Sequence, residues 1–597
     1  MSEAGPHQVL TQAERLASAW QGLLDGDSPE RELAPAAWDM LLNASLGRMT
    51  SFVSPAAVAL AYTDWLAHLT LSPAKREELV LKFWKKMTRW LWYAAQAMGP
   101  QAGRKTIDPL PQDKRFIDPA WQRWPFNVIS QGFLLEQQWW HCATTGVRGM
   151  SAHHEHVVTF ITRQLLDMWA PSNFLLTNPV VQDATWRAKG MNLLNGMQRA
   201  SADWRRAIAG ERNPAWDQFK VGETLAVTPG RVVYRNELME LIQYAPATST
   251  VHAVPVLFIP AWIMKYYILD LTPEESLVRY LVGQGHTVFM ISWKNPDAAQ
   301  RGLGMDDYLH LGVRAAMDQA LRITGAAQVN AVGYCLGGTL LSIAAAELAR
   351  EHDRRLASVT MFAAQTDFTE PGELSLFIDD SQVSFLEASM WDQGYLNPRQ
   401  MAGAFQLLRS NDLVWSRRLN EYLLDQPEPR TGLMAWNADA TRMPFRMHSE
   451  YLRQLFLDNE LAEGRYRVDG QPVALTDIRV PMFAVGTLTD HVAPWRSVYK
   501  LLLLADTEVT FLLTTGGHNA GVVSPPGHPR RSFQMATHAA DAPYVDPETW
   551  QATTPRREGS WWPAWEQWLA EHAGPKIAPP KQGKSLGAAP GTYVLER

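Results

Sequence analysis

Cysteine is scarce. The chain of 597 residues holds two, Cys142 and Cys335, too few for a disulfide scaffold or a multi-cysteine zinc site. A reducing compartment is the simplest home for it. Long apolar runs are missing too: no window reaches the ~20 uncharged apolar residues that span a bilayer. The best window, Ala56 to Leu71, is broken by Asp64 and His68. The opening Met1-Ser2-Glu3-Ala4-Gly5 lacks the basic and apolar regions of an export signal. Positive charge is not in excess. The balance of 55 basic and 61 acidic side chains leaves −6, which argues against a nucleic-acid binder working by bulk charge. What is plentiful is apolar matter, 46% of residues against 19% charged, enough for a large core and unlike a disordered or fibrous chain. There are also 25 tryptophans, rings that favour interfaces as well as cores.

The pattern divides the chain into residues 1–218, 219–573 and 574–597. The first part reads as a helical domain. Gln12 to Leu24, Lys75 to Met98 and His153 to Trp169 space their apolar residues by three and four. Trp204 to Trp216 mixes charge, Gly and Pro and reads as a linker. In the second part, Arg231 to Tyr234 and Leu238 to Tyr244 look like paired strands. Pro255 to Ile259 is fully apolar, as a strand buried on both faces is. Thr272-Pro273-Glu274-Glu275 has the form of a capping box opening a helix. Strands at Thr287 to Ile291, Gln328 to Val332 and Ser358 to Phe362 then alternate with helices at Met305 to Ile323 and Thr339 to Arg350. This rhythm means a parallel sheet covered on both faces. It stops near Gln365 and resumes at Val480 to Val485, followed by a helix and a strand at Glu508 to Leu513. Residues 365–475 are therefore expected to form a cap inserted at the carboxyl ends of the strands. The Pro-, Gly- and Lys-rich tail from Gly574 is expected on the surface.

Gly333-Tyr334-Cys335-Leu336-Gly337-Gly338 lies directly between a strand and a helix. It is a nucleophile elbow, G-x-S-x-G with Cys for Ser, in which Gly333, Gly337 and Gly338 allow the tight turn. Alone, such a motif is as well read as a buried cysteine in a glycine turn. Asp490 follows the strand ending at Val485, and His518 follows the strand ending at Leu513. Parallel strands bring three such loops to one edge, and the order Cys335, Asp490, His518 is that of α/β-hydrolases. A free thiol of pKa ~8.5 is mostly protonated at neutral pH. His518 would take its proton, and Asp490 would hold the imidazole. The oxyanion would be met by the N–H of Leu336 and one from Ala261 or Trp262.

Beyond the elbow, residues 115–597 resemble the poly(3-hydroxyalkanoate) synthases, most closely the class I short-chain polymerases. The resemblance is carried by Ala170 to Phe174 with Leu176 to Pro179, by Val221-Gly222 with Ala226 to Gly230, and by Lys265 to Leu271. Ser292 to Pro296, Asn411 to Trp415, Asp490 to Trp495, Gly559 to Pro563 and Ala589 to Val594 complete it. It implies an α/β-hydrolase fold with a cap, preceded by the helical domain. It also implies an enzyme that polymerises (R)-3-hydroxyacyl-coenzyme A, 3-hydroxybutyryl-coenzyme A by preference, through an acyl-Cys335 intermediate. Coenzyme A is then part of the substrate and a product, and no bound cofactor or metal is implied. His518, Asp490 or both in turn would deprotonate the attacking hydroxyl. Implied by the same likeness are a homodimer, cytoplasmic placement at the polyester granule surface, and granule-associated partner proteins. A depolymerase or thioesterase using water would need the same three residues, and a silent granule-coat protein would need none.

Five further features stand out in the sequence. His491 reads as a structural neighbour of the acid. The helix face bearing Trp84, Met87 and Leu91 in the run Phe83 to Tyr93 could lie at an interface, but packing on the protein with snorkelling lysines is favoured. His153, His154 and His156 read as a solvated face and not as metal ligands, and Cys142 as a buried structural thiol. Trp262 and Met447 to Tyr451 depart from the family pattern and bear on pocket shape.

Overall fold

The computed structural model describes residues 53–97, 105–209, 213–398 and 414–597, with a few isolated positions near 40–50, 211 and 400. The helix expected at Gln12 to Leu24 and the stretch Asn411 to Leu413 lie outside the described residues.

Five long helices come first: α1 (Pro55–Thr70), α2 (Pro73–Ala97), α3 (Phe126–Thr144), α4 (Ala152–Met168) and α5 (Met191–Ala209). Ser54 and Ser151 cap α1 and α4 by accepting backbone N–H bonds. Indole N–H groups then pin helix to helix. Trp65 donates to the Ala143 carbonyl, Trp90 to Val128 and Trp139 to Leu79, all within 3.0 Å.

The sheet follows, with strands β1 (Gly230–Arg235), β2 (Met239–Tyr244), β3 (Val256–Ile259), β4 (Val288–Trp293), β5 (Val329–Tyr334) and β6 (Leu356–Phe362). Later come β7 (Met482–Thr487), β8 (Val509–Thr514), β9 (Ser532–His538), β10 (Arg556–Glu558) and β11 (Gly587–Ala588). Their spatial order is β10-β9-β8-β7-β6-β5-β3-β4-β2-β1-β11. The six central strands, β4 to β8 with β3, are parallel, and the flanking pairs are antiparallel.

Period-two alternation splits each central strand between two cores. Leu257, Ile259, Phe289, Ile291, Met482 and Ala484 face one core, with helices Ala315–Thr324 and Leu336–Arg350. Val256, Phe258, Val288, Met290, Phe483 and Val485 face the other, with helices Leu277–Gln284 and Trp562–Glu571. Trp561, Trp562, Trp565 and Trp568 all lie in this second core, which absorbs part of the tryptophan excess. The chain between β6 and β7 builds helices Asp380–Trp391, Gly432–Asn437 and Phe445–Glu450, a short hairpin, and a second two-stranded ladder between Tyr395–Leu396 and Met443–Pro444. Val383, Met390, Met447, Leu455 and Phe456 of this segment join the first core.

Several expectations need correction. The helix after β3 begins at Leu277 and is capped by Ser276, not Thr272. Thr272 instead accepts the Glu275 N–H in a local turn, because Asp270 bridges back to Ser276 and bends the chain between them. Trp204 to Ala209 is not linker but the last turns of α5. There the polar side faces the protein: Asn192 donates to the Leu423 carbonyl, Arg199 pairs with Asp425, and the Tyr422 hydroxyl donates to Asp203. These inward bonds override the local Gly and Pro signals downstream.

On α2, Trp84 and Leu91 are not packed but 62% and 55% exposed, beside exposed Leu81 and Trp92. The buried side is Leu79, Tyr93 and Ala97, because α3 docks there. His153 and His154 do not form a freely solvated face. His153 Nε2 lies 3.3 Å from Asp379 and His154 Nδ1 2.6 Å from Asp64. Cys142 is half-buried, with the Lys82 ammonium 3.6 Å from its sulfur. The tail is not merely superficial. β11 pairs with β1, Val594 is buried, and the N–H groups of Thr592 and Tyr593 donate to the fully buried Glu240. That buried carboxylate needs donors, and the tail supplies them.

Candidate active site

β5 runs straight into the elbow. Cys335 has φ +53° and ψ −127°, a backbone region that costs a residue with a side chain about 1–3 kcal/mol. The surroundings hold it there. Its N–H donates to the Phe362 carbonyl at 2.9 Å, and its carbonyl accepts from Gly338 at 2.8 Å and Thr339 at 3.2 Å. Any side chain at Gly333 would sit 2.3 Å from the Gly338 Cα, and any at Gly337 would sit 2.1 Å from the Ile259 carbonyl oxygen. The turn can therefore close only with glycine at both positions. Cys335 stands as N-cap of the helix Leu336–Arg350, so the free N–H groups and positive dipole end of that helix face its sulfur.

The Gly337 contact also places the loop after β3, residues 260–262, against the elbow. Trp293 holds that loop from behind, its indole N–H donating to the Pro260 carbonyl at 2.7 Å. Ala261 and Trp262 are buried. The Trp262 ring turns away into the core, 4.5 Å from the Tyr308 ring, with its N–H 3.1 Å from the Met447 sulfur. Leu336 is buried at the first helical turn.

Asp490 and His518 are brought together by two adjacent parallel strands. β7 and β8 pair in register, and the pairing continues past their ends: Leu488 N–H donates to Thr514 and Thr489 N–H to Gly516. His518 Nδ1 then lies 2.8 Å from Asp490 Oδ2. The Thr487 hydroxyl donates to the same oxygen at 2.8 Å, and Val492 and Ala493 N–H groups donate to Oδ1 at 2.8 and 2.9 Å. The Asp490 side chain is wholly inaccessible to solvent. Burial pushes its pKa up, but the His518 charge and these hydrogen bonds outweigh burial and hold it below the usual carboxylate range. For His518, burial works against the charged ring. The charges of Asp490 and Cys335, with hydrogen bonds to both, outweigh that and raise its pKa well above the ordinary value. Asp490 and His518 thus form a buried hydrogen-bonded pair, and the raised His518 pKa has the Cys335 thiol among its causes.

His491 is half-buried. Its carbonyl accepts the Glu373 N–H at 3.1 Å, tying the acid loop to the start of the inserted segment. Two neighbours escaped the sequence reading. The Tyr334 hydroxyl donates to Asn519 at 2.6 Å, and its ring lies 5.7 Å from His518. Tyr334 is the variable position of the elbow, and Thr487 ends β7, so neither carried a motif signal.

In the inserted segment, His448 in the helix Phe445–Glu450 is buried, and its Nδ1 has no hydrogen-bond partner among the described residues. Burial lowers its pKa to about 4, so it is neutral in the fold. A histidine whose pKa is lower folded than unfolded stabilises fully above the unfolded value of ~6.5, and that stability is lost as pH falls toward the folded one. Between pH 7 and 4.5 this loss reaches about 2–3 kcal/mol. Melting temperature is therefore expected to fall more steeply with acid in the wild type than in His448→Phe. Parallel curves would show that the ring takes up its proton without unfolding.

Among the described residues, metal-ligating atoms from three residues come within 4.8 Å of one another at His252, His286 and Glu566. There His286 hydrogen-bonds Glu566 at 3.1 Å. This group lies before the strands begin, at the end of the sheet opposite Cys335, and takes no part in the site.

Comparison with known proteins gives three family matches. The "Poly-beta-hydroxybutyrate polymerase (PhaC) N-terminus" matches residues 112–281, the "Poly-beta-hydroxybutyrate polymerase N terminal" region matches 34–75, and the alpha/beta hydrolase fold matches 254–523. The chain is 41% identical over 496 residues to the poly(3-hydroxyalkanoate) polymerase of Methylorubrum extorquens, covering 82% of this chain and 81% of that one. It is 37% identical over 540 residues to the polymerase subunit PhaC of Rhizobium meliloti, covering 89% and 87%. With the subunit from Cupriavidus necator it shares 36% over 551 residues, covering 90% and 91%. Among solved structures, an alpha/beta hydrolase fold protein from Chitinophaga pinensis aligns with a TM-score of 0.29 at 12% identity, covering 50% of this chain and 93% of that one.

Proposed function

The chain belongs to the poly(3-hydroxyalkanoate) polymerase family, and we propose that it joins (R)-3-hydroxyacyl units, 3-hydroxybutyryl by preference, from coenzyme A thioesters into polyester. The observation that carries this reading is the His518–Asp490 hydrogen bond at 2.8 Å, set at the carboxyl ends of the strands with the strained Cys335 elbow.

The Cys335 thiolate attacks the thioester carbonyl. The oxyanion is met by the Leu336 N–H and by one from Ala261 or Trp262. The carbon–sulfur bond to coenzyme A breaks, and the leaving thiolate takes the proton from His518 Nε2. An acyl group now rests on Cys335. The hydroxyl of a second unit attacks an acyl thioester, an ester forms, and a thiol is released. We assign the removal of the hydroxyl proton to His518. Asp490 already receives four hydrogen bonds, which leaves it little basicity, whereas Nε2 is returned neutral once coenzyme A has left. Thioester exchange is nearly balanced in free energy, and ester formation drives the cycle. Coenzyme A serves as substrate and product, with no resident cofactor.

The exposed apolar faces of α2 (Leu81, Trp84, Leu91, Trp92) and α5 (Met197, Trp204, Ile208) support contact with a polyester granule surface. Among the described residues no helix is long and apolar enough to cross a membrane. Homodimerisation, granule-associated partners and cytoplasmic placement rest on family likeness.

The test is to incubate the protein with 3-hydroxybutyryl-coenzyme A and to count free coenzyme A against free 3-hydroxybutyrate. Polymerisation releases coenzyme A with little free acid, the acyl groups being recovered as polymer. Equal amounts of the two would make the protein a thioesterase. Release of neither would leave only a granule-coat role.

A further inference from the structure

Arg531 holds its guanidinium over the loop that carries His518. One terminal nitrogen donates to the Thr515 carbonyl at 3.2 Å and the other to the Ala520 carbonyl at 2.6 Å. The two acceptors flank His518 on either side in sequence. Among the described residues no carboxylate comes within 4 Å of it, and its Nε is buried without a partner. A cation spent on two backbone carbonyls, with no counter-charge, is a costly way to tie a loop. Its planar fork has the span to bridge two acceptors at once.

The loop is built to receive it. Gly516 has φ +112°, and a side chain there would sit 2.7 Å from the guanidinium and 3.0 Å from Gly521. Gly521 in turn packs against Thr487, the residue whose hydroxyl holds Asp490. The continuation of the loop is gripped from the same side. Trp561 N–H donates to the Gly521 carbonyl at 2.9 Å, Trp562 N–H donates to Val522 at 3.0 Å, and the Ser560 hydroxyl donates to Ser524. Trp561 and Trp562 are fully buried. This gives the otherwise unassigned Gly559 to Pro563 stretch a mechanical purpose.

We infer that Arg531 is a positioning residue for the reaction, setting the place of the His518 imidazole between Cys335 and Asp490 by bridging the carbonyls on both sides of it. It touches neither substrate nor reacting atoms. The inference rests on the triad reading above.

The test uses the full chain with Arg531→Lys, which keeps the charge and loses the bridge, and Arg531→Gln, which keeps one donor. Three quantities are read: kcat and KM for coenzyme A release from 3-hydroxybutyryl-coenzyme A, the pH dependence of Cys335 alkylation by iodoacetamide, and the melting temperature. For Arg531→Lys, kcat is expected to fall about tenfold or more with KM within about twofold. The midpoint of alkylation is expected to move up toward that of a free thiol, because a displaced imidazole no longer stabilises the thiolate. An alkylation profile that coincides with wild type, whatever happens to kcat, overturns the inference. So does failure of both variants to fold, since the bridge would then serve stability alone. Should the wild type itself show no lowered alkylation midpoint at Cys335, the triad reading falls first, and the two failures are thereby distinguished.

Discussion

Cys335→Ala is expected to lower the rate of coenzyme A release by about 10⁴-fold or more, the scale on which a covalent nucleophile is lost. The reason lies in how much of the site exists for that one sulfur. The strained backbone at Cys335, the close approach of Gly337 to the Ile259 carbonyl and the facing helix end all serve to present it. Alanine fits the same turn with a smaller side chain, so the fold survives and the loss is chemical. Serine is expected to do little better. A hydroxyl is far less acidic than a thiol, so the same base ionises far less of it at neutral pH. Intact-protein mass spectrometry after substrate exposure checks this. An acyl adduct forms on wild type and is absent in Cys335→Ala. Persistence of the adduct in the variant would place the nucleophile elsewhere.

Asp490→Asn is the second large effect, a loss of about 10³–10⁴-fold in kcat. The environment dictates which way the new amide turns. Oδ1 receives the N–H groups of Val492 and Ala493, so the amide oxygen must stay there. The NH₂ then points at His518 Nδ1. A donor facing Nδ1 forces the ring proton onto Nε2, the nitrogen that has to accept from the thiol. The charge that raised the His518 pKa is removed in the same change. Cys335 alkylation is therefore expected to need higher pH in this variant than in wild type, with KM little altered. A variant with wild-type kcat and an unshifted alkylation profile would show that the carboxylate is only a loop anchor.

Much of this was legible along the chain because it depends on local rules. Apolar runs such as Val256–Ile259 and Met482–Thr487 declare strands buried on both faces, and their alternation with helices declares a parallel sheet. The elbow glycines declare a turn too tight for side chains. The order of Cys335, Asp490 and His518 follows from which strands end in loops on one edge. Errors arose where a distant contact overruled a local signal. Thr272 has a capping sequence, yet Ser276 caps the helix because Asp270 holds it. The α2 face with Trp84 and Leu91 has the look of a packed stripe, yet α3 docks on the other side. The tail composition suggests a loose end, yet Glu240, buried at the sheet edge, recruits it.

The amino-acid sequence by itself determined the strands, the turn at Cys335 and the kinds of side chain available for chemistry, since backbone sterics and apolar periodicity act over a few residues. Only the tertiary structure decided that His518 lies 2.8 Å from Asp490, that four donors converge on that carboxylate, and that Arg531 bridges the histidine loop. Hydrogen bonds between residues far apart in the chain are chosen by how strands register and helices dock, and no short stretch of sequence contains that information.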